Sequence, residues 1–426
     1  MTTSALASAL RHGALALALV GSAATSAAEP SPASYWSPSW MASTQPVWNG
    51  DFVLPSGLPF QFNRQTVRQV ARLSIGGSRL RVVISNEGGT VPLYIGAARV
   101  ARHGGGSAIV EGTDRPLRFG GQADVTVPPG ARLVSDPVDI ALPALAELAV
   151  SLYLPRPSQP AGFHFDARQT AYVADGDLSG AARLPSAATQ WSTRVYFSGL
   201  IVETPRAPAT VVALGDSITD GNGSTPGANT RWPDALAERL AGRNVAVLNA
   251  GISGGRLLKD GMGRAGLERA GRDVFAQPGV RAMIVLLGTN DIGWPGGPFA
   301  PDEPAMRAEA VVQGLRQLAE MARAHNVRIM AGTIPPNERA LQGTPLEGHH
   351  SPAKDKVRQA VNRWIREAGA FDAVVDFDAL LHDPANPSRL KASMDSGDHL
   401  HPGDAGYRAM AAAVDLEALL GTSAQP

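Results

Sequence analysis

The sequence predicts two parts of different class, an all-β sandwich or jelly roll followed by an α/β region on a parallel five-stranded sheet. Three observations carry this. Between about residues 60 and 203, short alternating runs are broken by Gly, Pro and Asn at fairly regular intervals, and no stretch has a helical period. After Pro205-Arg206-Ala207-Pro208 come five continuous apolar runs, each of strand length. Amphipathic segments of helix length separate those runs.

Taken in order, residues 1–28 have the pattern of an export signal. Arg11 supplies the positive charge, Gly13 to Val20 the apolar stretch, and Ser26-Ala27-Ala28 the small residues before cleavage at Glu29. The apolar stretch falls well short of the roughly 20 residues that span a bilayer, so a periplasmic or extracellular protein without a stable membrane anchor is expected. Residues 29–50 are rich in Pro, Ser and Trp and read as an extended entry segment. Strands are expected in 68–77, 78–89, 91–106, 123–142, 148–155 and 194–204. These give a β-rich domain over 29–205.

The α/β domain is expected over 206–421, with residues 422–426 as a tail. Its strands are VVALGDS, VAVLNAG, AMIVLLGT, RIMAGTIP and AVVDFDAL. Its helices are expected at 231–242, 266–277, 305–326, 354–369 and 404–419, with Gly242 and Gly369 as stop signals. Alternation of this kind implies right-handed crossovers and helices on both faces of the sheet.

Composition removes several functions. The 38 basic residues balance the 38 acidic ones, which leaves no electrostatic case for nucleic acid or an anionic membrane as partner. There is no cysteine, so thiol catalysis, disulfides and cysteine-ligated zinc are excluded. No cofactor is implied. A metal reading of Asp398, His399 and His401 lacks further residues at ligand spacing. Gly261 to Gly266 spells G-x-G-x-x-G, but it does not directly follow a strand, so it reads as a flexible loop rather than a dinucleotide fingerprint.

Four short motifs carry the chemistry. Ser217, in GDSITDG, follows a predicted strand, where ligands gather in open parallel sheets. The pattern lacks the second glycine of the G-x-S-x-G elbow. Its plainer reading is a helix cap. Gly254, in NAGISGG, lets the backbone approach a substrate oxygen and aim its N–H there, with Gly251 and Gly255 as alternates. Asn290, in GTND, offers a side-chain amide donor, and Asp291 beside it suits a helix N-cap. Asp398 and His401, three residues apart in DHLHP, can meet within one turn, the carboxylate fixing the imidazole tautomer. His399 is the competing base.

These motifs resemble those of the SGNH, or GDSL, hydrolase family. The resemblance covers roughly residues 209–420. It implies a flavodoxin-like three-layer α/β/α fold, with Ser217 as nucleophile and Asp398 and His401 completing a triad. It also implies an oxyanion hole from the N–H groups of Ser217 and Gly254 and the amide of Asn290. The upstream β-rich region is similar to that of secreted two-domain acylhydrolases and arylesterases, some tied to polysaccharide deacetylation.

The expected function is hydrolysis of short-chain acyl esters, on small molecules or glycans. The same residues suit an O-acyltransferase. Trp36, Trp40 and Trp48 also allow a carbohydrate-binding envelope protein with an idle hydrolase domain, although packing at the domain interface is the plainer role for them. An interfacial lipase would want a long apolar lid. The loops 294–304 and 337–352 carry Pro, Gly and charge, and suit a fixed rim.

Overall fold

The computed structural model describes residues 34–421 apart from 49 and 51. The expected export signal and the C-terminal tail lie outside the described residues. No described helix is long and apolar enough to cross a membrane.

The β region consists chiefly of two antiparallel sheets. One runs Tyr35–Met41, Phe197–Thr204, Gly77–Ser85, Val138–Leu142, with Arg132–Val134 also paired to Gly77–Ser85. The other has Glu147–Leu154 and Gln65–Arg72 at its centre, flanked by Ala97–Arg102 and Ala171–Asp175. Alternation explains the packing. Leu80, Val82 and Ile84 from the first sheet and Leu148, Val150, Leu152 and Leu154 from the second turn into a single core. The expected run at 91–106 divides at Gly96 into Leu93–Ile95 and Ala97–Arg102, which pair with different partners.

Past the Pro205–Pro208 link lies a wholly parallel sheet of five strands. In sequence order they are Ala209–Gly215, Val245–Gly251, Val280–Leu286, Arg328–Gly332 and Ala373–Val375. Their spatial order is second, first, third, fourth, fifth, which is the flavodoxin-like order. Period-two alternation splits the apolar runs between two cores. Val212, Leu214, Met283 and Val285 face the helices Ala308–Ala324 and Pro352–Glu367. Val211, Ala213, Ala282 and Ile284 face Trp232–Leu240 and Asp404–Ala413. Burial on both faces is why these strands read as unbroken apolar runs.

Like the β-region run at 123–142, which splits into Val125–Val127, Arg132–Val134 and Val138–Leu142, three elements of the α/β part depart from expectation. The helix expected at 266–277 is α-helical only over Gly266–Ala270 and widens to a π turn over Gly271–Phe275. Gly271, a poor helix former, opens the widened turn, and the buried Arg269–Asp273 pair closes across it at 3.0 Å. The last helix breaks before Asp415, whose carboxylate caps a second helix, Leu416–Leu420, while Arg239 takes the Val414 carbonyl at 2.8 Å. The fifth strand stops at Val375 because Asp376 caps the helix Phe377–Leu381.

The two parts form one compact unit from Ser34 onward. Arg72 pairs with Glu238 at 2.8 Å, and Asn229 donates to Glu147 at 2.6 Å. Ser74 Oγ accepts the N–H of Val247 at 3.2 Å. Gln45 and Trp48 both donate to the Met262 carbonyl at 2.8 Å. Trp48 packs among Phe52, Phe163 and Phe165, and Trp40 stacks on Phe197 beneath the Arg194 guanidinium. Both tryptophans thus serve packing. Trp36 lies against the guanidinium groups of Arg79 and Arg81.

Candidate active site

The site gathers at the carboxyl ends of the first three sheet strands, beside the point where strand order reverses, the usual ligand position in open α/β sheets. Ser217 opens the short helix Ser217–Asp220, with Asp216 alone between it and the end of the first strand, Ala209–Gly215. It does not cap that helix. Asp216 does, its carboxylate accepting the N–H of Ile218 at 3.0 Å. A residue at the first helical position keeps its own N–H free of intrahelical bonds.

His401 Nε2 stands 2.8 Å from Ser217 Oγ. Its Nδ1 lies 2.6 Å from Asp398 Oδ2. The carboxylate accepts, so Nδ1 carries the proton and Nε2 is left to accept from the serine hydroxyl. Asp398 Oδ1 takes the N–H groups of Leu400 and His401 at 2.9 and 2.8 Å. Burial disfavours the charged carboxyl of Asp398. The hydrogen bond and charge of His401, with those two backbone N–H groups, prevail and hold it well below the usual carboxylate range. His399, the competing base, turns to a different carboxylate, Asp395, at 2.6 Å. Both Ser217 and His401 are only 7% exposed.

Gly254 lies in the turn after the second strand with φ +70. A side chain there would run into Met262 and the Trp294 ring, so both backbone and space require glycine. Among the described residues, the N–H groups of Ser217 and Gly254 have no acceptor. Asn290, in the helix Thr289–Gly293 after the third strand, donates one amide hydrogen to the Gly255 carbonyl at 3.0 Å. That leaves its second amide hydrogen for another acceptor. Asp291 is no N-cap. It lies inside that helix and accepts the N–H groups of Leu257 and Leu258 at 2.7 and 2.9 Å, stitching the second and third strands' loops together. The glycine-rich stretch at 261–266 is likewise anchored, by Gln45 and Trp48 on Met262 and by Asp260 on the N–H of Ala265.

Three residues to which the motifs assign no role join the site, one of them, Asp220, within GDSITDG itself. His349, from the loop 337–352, reaches Asn290 Oδ1 at 3.2 Å. Asp220 takes the N–H and hydroxyl of Ser253, next to Gly254, at 2.9 and 2.8 Å. His164, from the β region, closes on the other Asp220 oxygen at 2.8 Å while donating its Nδ1–H to the Ser43 carbonyl at 2.9 Å. The contacts that give them a role span 33 to 59 residues, beyond any local pattern. The rim loops are fixed by Trp294 stacked on Phe299 at 4.6 Å and by Arg256 paired with Glu303 at 2.7 Å.

Asp216 gives a first prediction. Burial pushes its carboxyl up to about 7 from an ordinary 3.8, against the pull of the Ile218 N–H, His401 and Arg269. Folding therefore favours its protonated form. Stability is expected to be full below pH about 4 and to decline as pH rises through about 7. In Asp216→Asn, which keeps the cap oxygen, denaturant unfolding across this range should lose that part of the slope. Identical slopes in both proteins would contradict it.

Residues 213–409 match the model of the GDSL-like Lipase/Acylhydrolase family. No curated protein matches the chain by sequence. Among solved structures, a carbohydrate acetylesterase family member from Sinorhizobium meliloti is 18% identical. The match covers 50% of this chain and 99% of that one, with TM-score 0.39. A GDSL-like lipase from Bacteroides thetaiotaomicron is 20% identical over 49% of this chain and 88% of that one, with TM-score 0.36. The serine that follows the first strand of the sheet thus lies within the α/β part, residues 213–409, that matches the GDSL-like Lipase/Acylhydrolase family.

Proposed function

We propose that the chain is an exported serine esterase that removes short acyl groups, chiefly acetyl, from small-molecule or glycan esters. Residues 206–421 form its hydrolase domain and 29–205 its β-rich domain. The observation that carries this reading is the relay from Ser217 Oγ to His401 at 2.8 Å and on to Asp398 at 2.6 Å.

His401 Nε2 takes the proton of Ser217 as Oγ attacks the ester carbonyl. The carbonyl oxygen becomes an oxyanion held by the N–H groups of Ser217 and Gly254 and the free amide hydrogen of Asn290. His401 returns the proton to the leaving alcohol, and an acyl-serine remains. Water, deprotonated by His401, then releases the acid and restores Ser217. Asp398 keeps the imidazole in the required tautomer and stabilises its charge. Short acyl groups are favoured because Met262, Trp294 and Ala300, packed with Phe299, fill the ground behind the Gly254 turn. A glycan substrate is favoured by the resemblance of the β-rich region to secreted acylhydrolases, some tied to polysaccharide deacetylation.

The test is the rate of hydrolysis across p-nitrophenyl esters from acetate to palmitate, with and without an acceptor alcohol. Activity confined to the shortest chains and indifferent to the acceptor is expected. Preference for long chains would refute the short-acyl reading, and acyl transfer to the alcohol ahead of water would make the chain an acyltransferase.

A second expected result concerns Gly254. Gly254→Ala should lower kcat about 100-fold or more by displacing one oxyanion donor, with binding of ground-state ester little changed. Unaltered kcat would remove Gly254 from the site.

A further inference from the structure

His349 is wholly enclosed, and its contacts leave one arrangement of hydrogens. The Gly255 carbonyl only accepts, so the atom of Asn290 facing it, at 3.0 Å, is the amide nitrogen. The Asn290 oxygen therefore faces His349 Nε2 at 3.2 Å, and Nε2 must donate. On the far side, His349 Nδ1 lies 3.2 Å from the amide nitrogen of Asn337, which donates to it. One ring nitrogen gives and the other receives, as a neutral imidazole requires. Burial, with Lys354 and His401 adding to it, pushes the histidine down to about 3, so the ring stays neutral wherever the enzyme works.

The surroundings hold the ring in place. Gly293 has no side chain because a Cβ there would enter the imidazole. Lys354 clamps the carbonyls of Gly293 and Gly348, both at 2.7 Å, and so ties the loop bearing His349 to the helix bearing Asn290. Thr289, Ile292, Ile334 and Arg358 line the remaining space. An amide side chain turns about its last torsion with little preference. A turn by half a revolution would aim the Asn290 oxygen, rather than its N–H, at a developing oxyanion.

We propose that His349, backed by Asn337, is a positioning residue that locks the Asn290 side chain so that its amide N–H faces the reacting carbonyl oxygen. This rests on the esterase reading above. It gives the loop 337–352 a place in the chemistry, through Asn290 and without touching substrate.

The experiment is a double-mutant cycle in the full-length chain, followed by kcat and KM on p-nitrophenyl acetate. His349→Leu keeps bulk and removes the donor; kcat is expected to fall about 10- to 100-fold with KM within about twofold. His349→Gln, whose amide nitrogen reaches where Nε2 stands, should recover most of the loss, while His349→Asn, which keeps only the side facing Asn337, should not. Asn290→Ala should itself lower kcat about 100- to 1000-fold, and adding His349→Leu to it should cost nothing more. Equal loss from His349→Leu on both backgrounds, or a loss borne by KM, overturns the positioning role and leaves the esterase reading intact. Full activity in Asn290→Ala overturns the oxyanion role of Asn290 and the present inference with it. Should His349→Leu not fold, the Gln and Asn variants decide alone, and equal activity in these two overturns the proposal.

Discussion

Replacing Ser217 by alanine is expected to lower kcat/KM for a short ester by about 10⁴-fold or more, with no change in melting temperature beyond about 2 °C. The loss is so large because a serine, a histidine and a carboxylate act as a unit. Without Oγ, His401 has no hydroxyl to deprotonate, and the donors around it stabilise only the slow attack of water. Stability should survive because, among the described residues, the hydroxyl bonds only to His401, and the cap of the helix is the carboxylate of Asp216. Mass spectrometry after treatment with an organophosphonate should find the adduct on Ser217 in the parent and none in the variant. Activity within about tenfold of the parent, from folded Ser217→Ala protein, would end the acyl-serine mechanism.

Asp220→Ala should produce the largest fall in stability of any single change near the site, on the order of 3–5 kcal/mol. Asp220 has almost no exposure and holds three hydrogen bonds with its two oxygens. One takes Nε2–H of His164, and the other the N–H and hydroxyl of Ser253. Alanine would leave the buried His164 Nε2 and the two donors of Ser253 without a partner. Burial works against the charge on His164, but Asp220 and the Ser43 carbonyl outweigh it and raise its pKa. The sign follows: the pair stabilises fully below the ordinary histidine range, and that contribution is lost as pH climbs through the raised value. His164→Leu on the Asp220→Ala background should restore part of the stability by removing the buried imidazole nitrogen left without a partner. Thermal unfolding of the four proteins of the cycle tests this, and a double variant no more stable than Asp220→Ala would contradict the pairing. Since Ser253 adjoins Gly254, activity should fall with stability.

The parts of the site that could be read from sequence are those written in contiguous residues. Ser217, Gly254, Asn290, Asp398 and His401 each announce themselves by what surrounds them, since a strand end, a glycine turn and a three-residue spacing are local facts. The roles of His164, His349 and Asp220, the last of them inside GDSITDG, are not legible for the opposite reason. His164 meets Asp220 across 56 residues and His349 meets Asn290 across 59, between elements whose mutual placement no periodicity encodes. The fold divides the same way. Runs buried on both faces marked the parallel strands, and alternation marked the β sandwich. The helix at 266–277 was misjudged because a buried Arg269 bonded to the carbonyls of Gly215 and Ala250, at 2.7 and 2.6 Å, is a tertiary demand on a segment that looks regular. Asp376 and Asp415 end their elements by capping, which the apolar pattern alone outweighed.

The pairing of Tyr35–Met41 with Phe197–Thr204 has a kinetic consequence. The first strand of the β sandwich waits for the last, some 160 residues later in the chain, before either edge is satisfied. A ribosome delivering the chain from its amino end therefore releases a long stretch that cannot yet close its own core, and ordering by distant partners makes that closure slow. The same delay that exposes such a chain to misassembly would, were the chain exported as proposed above, keep it open long enough to be threaded through a narrow translocation channel.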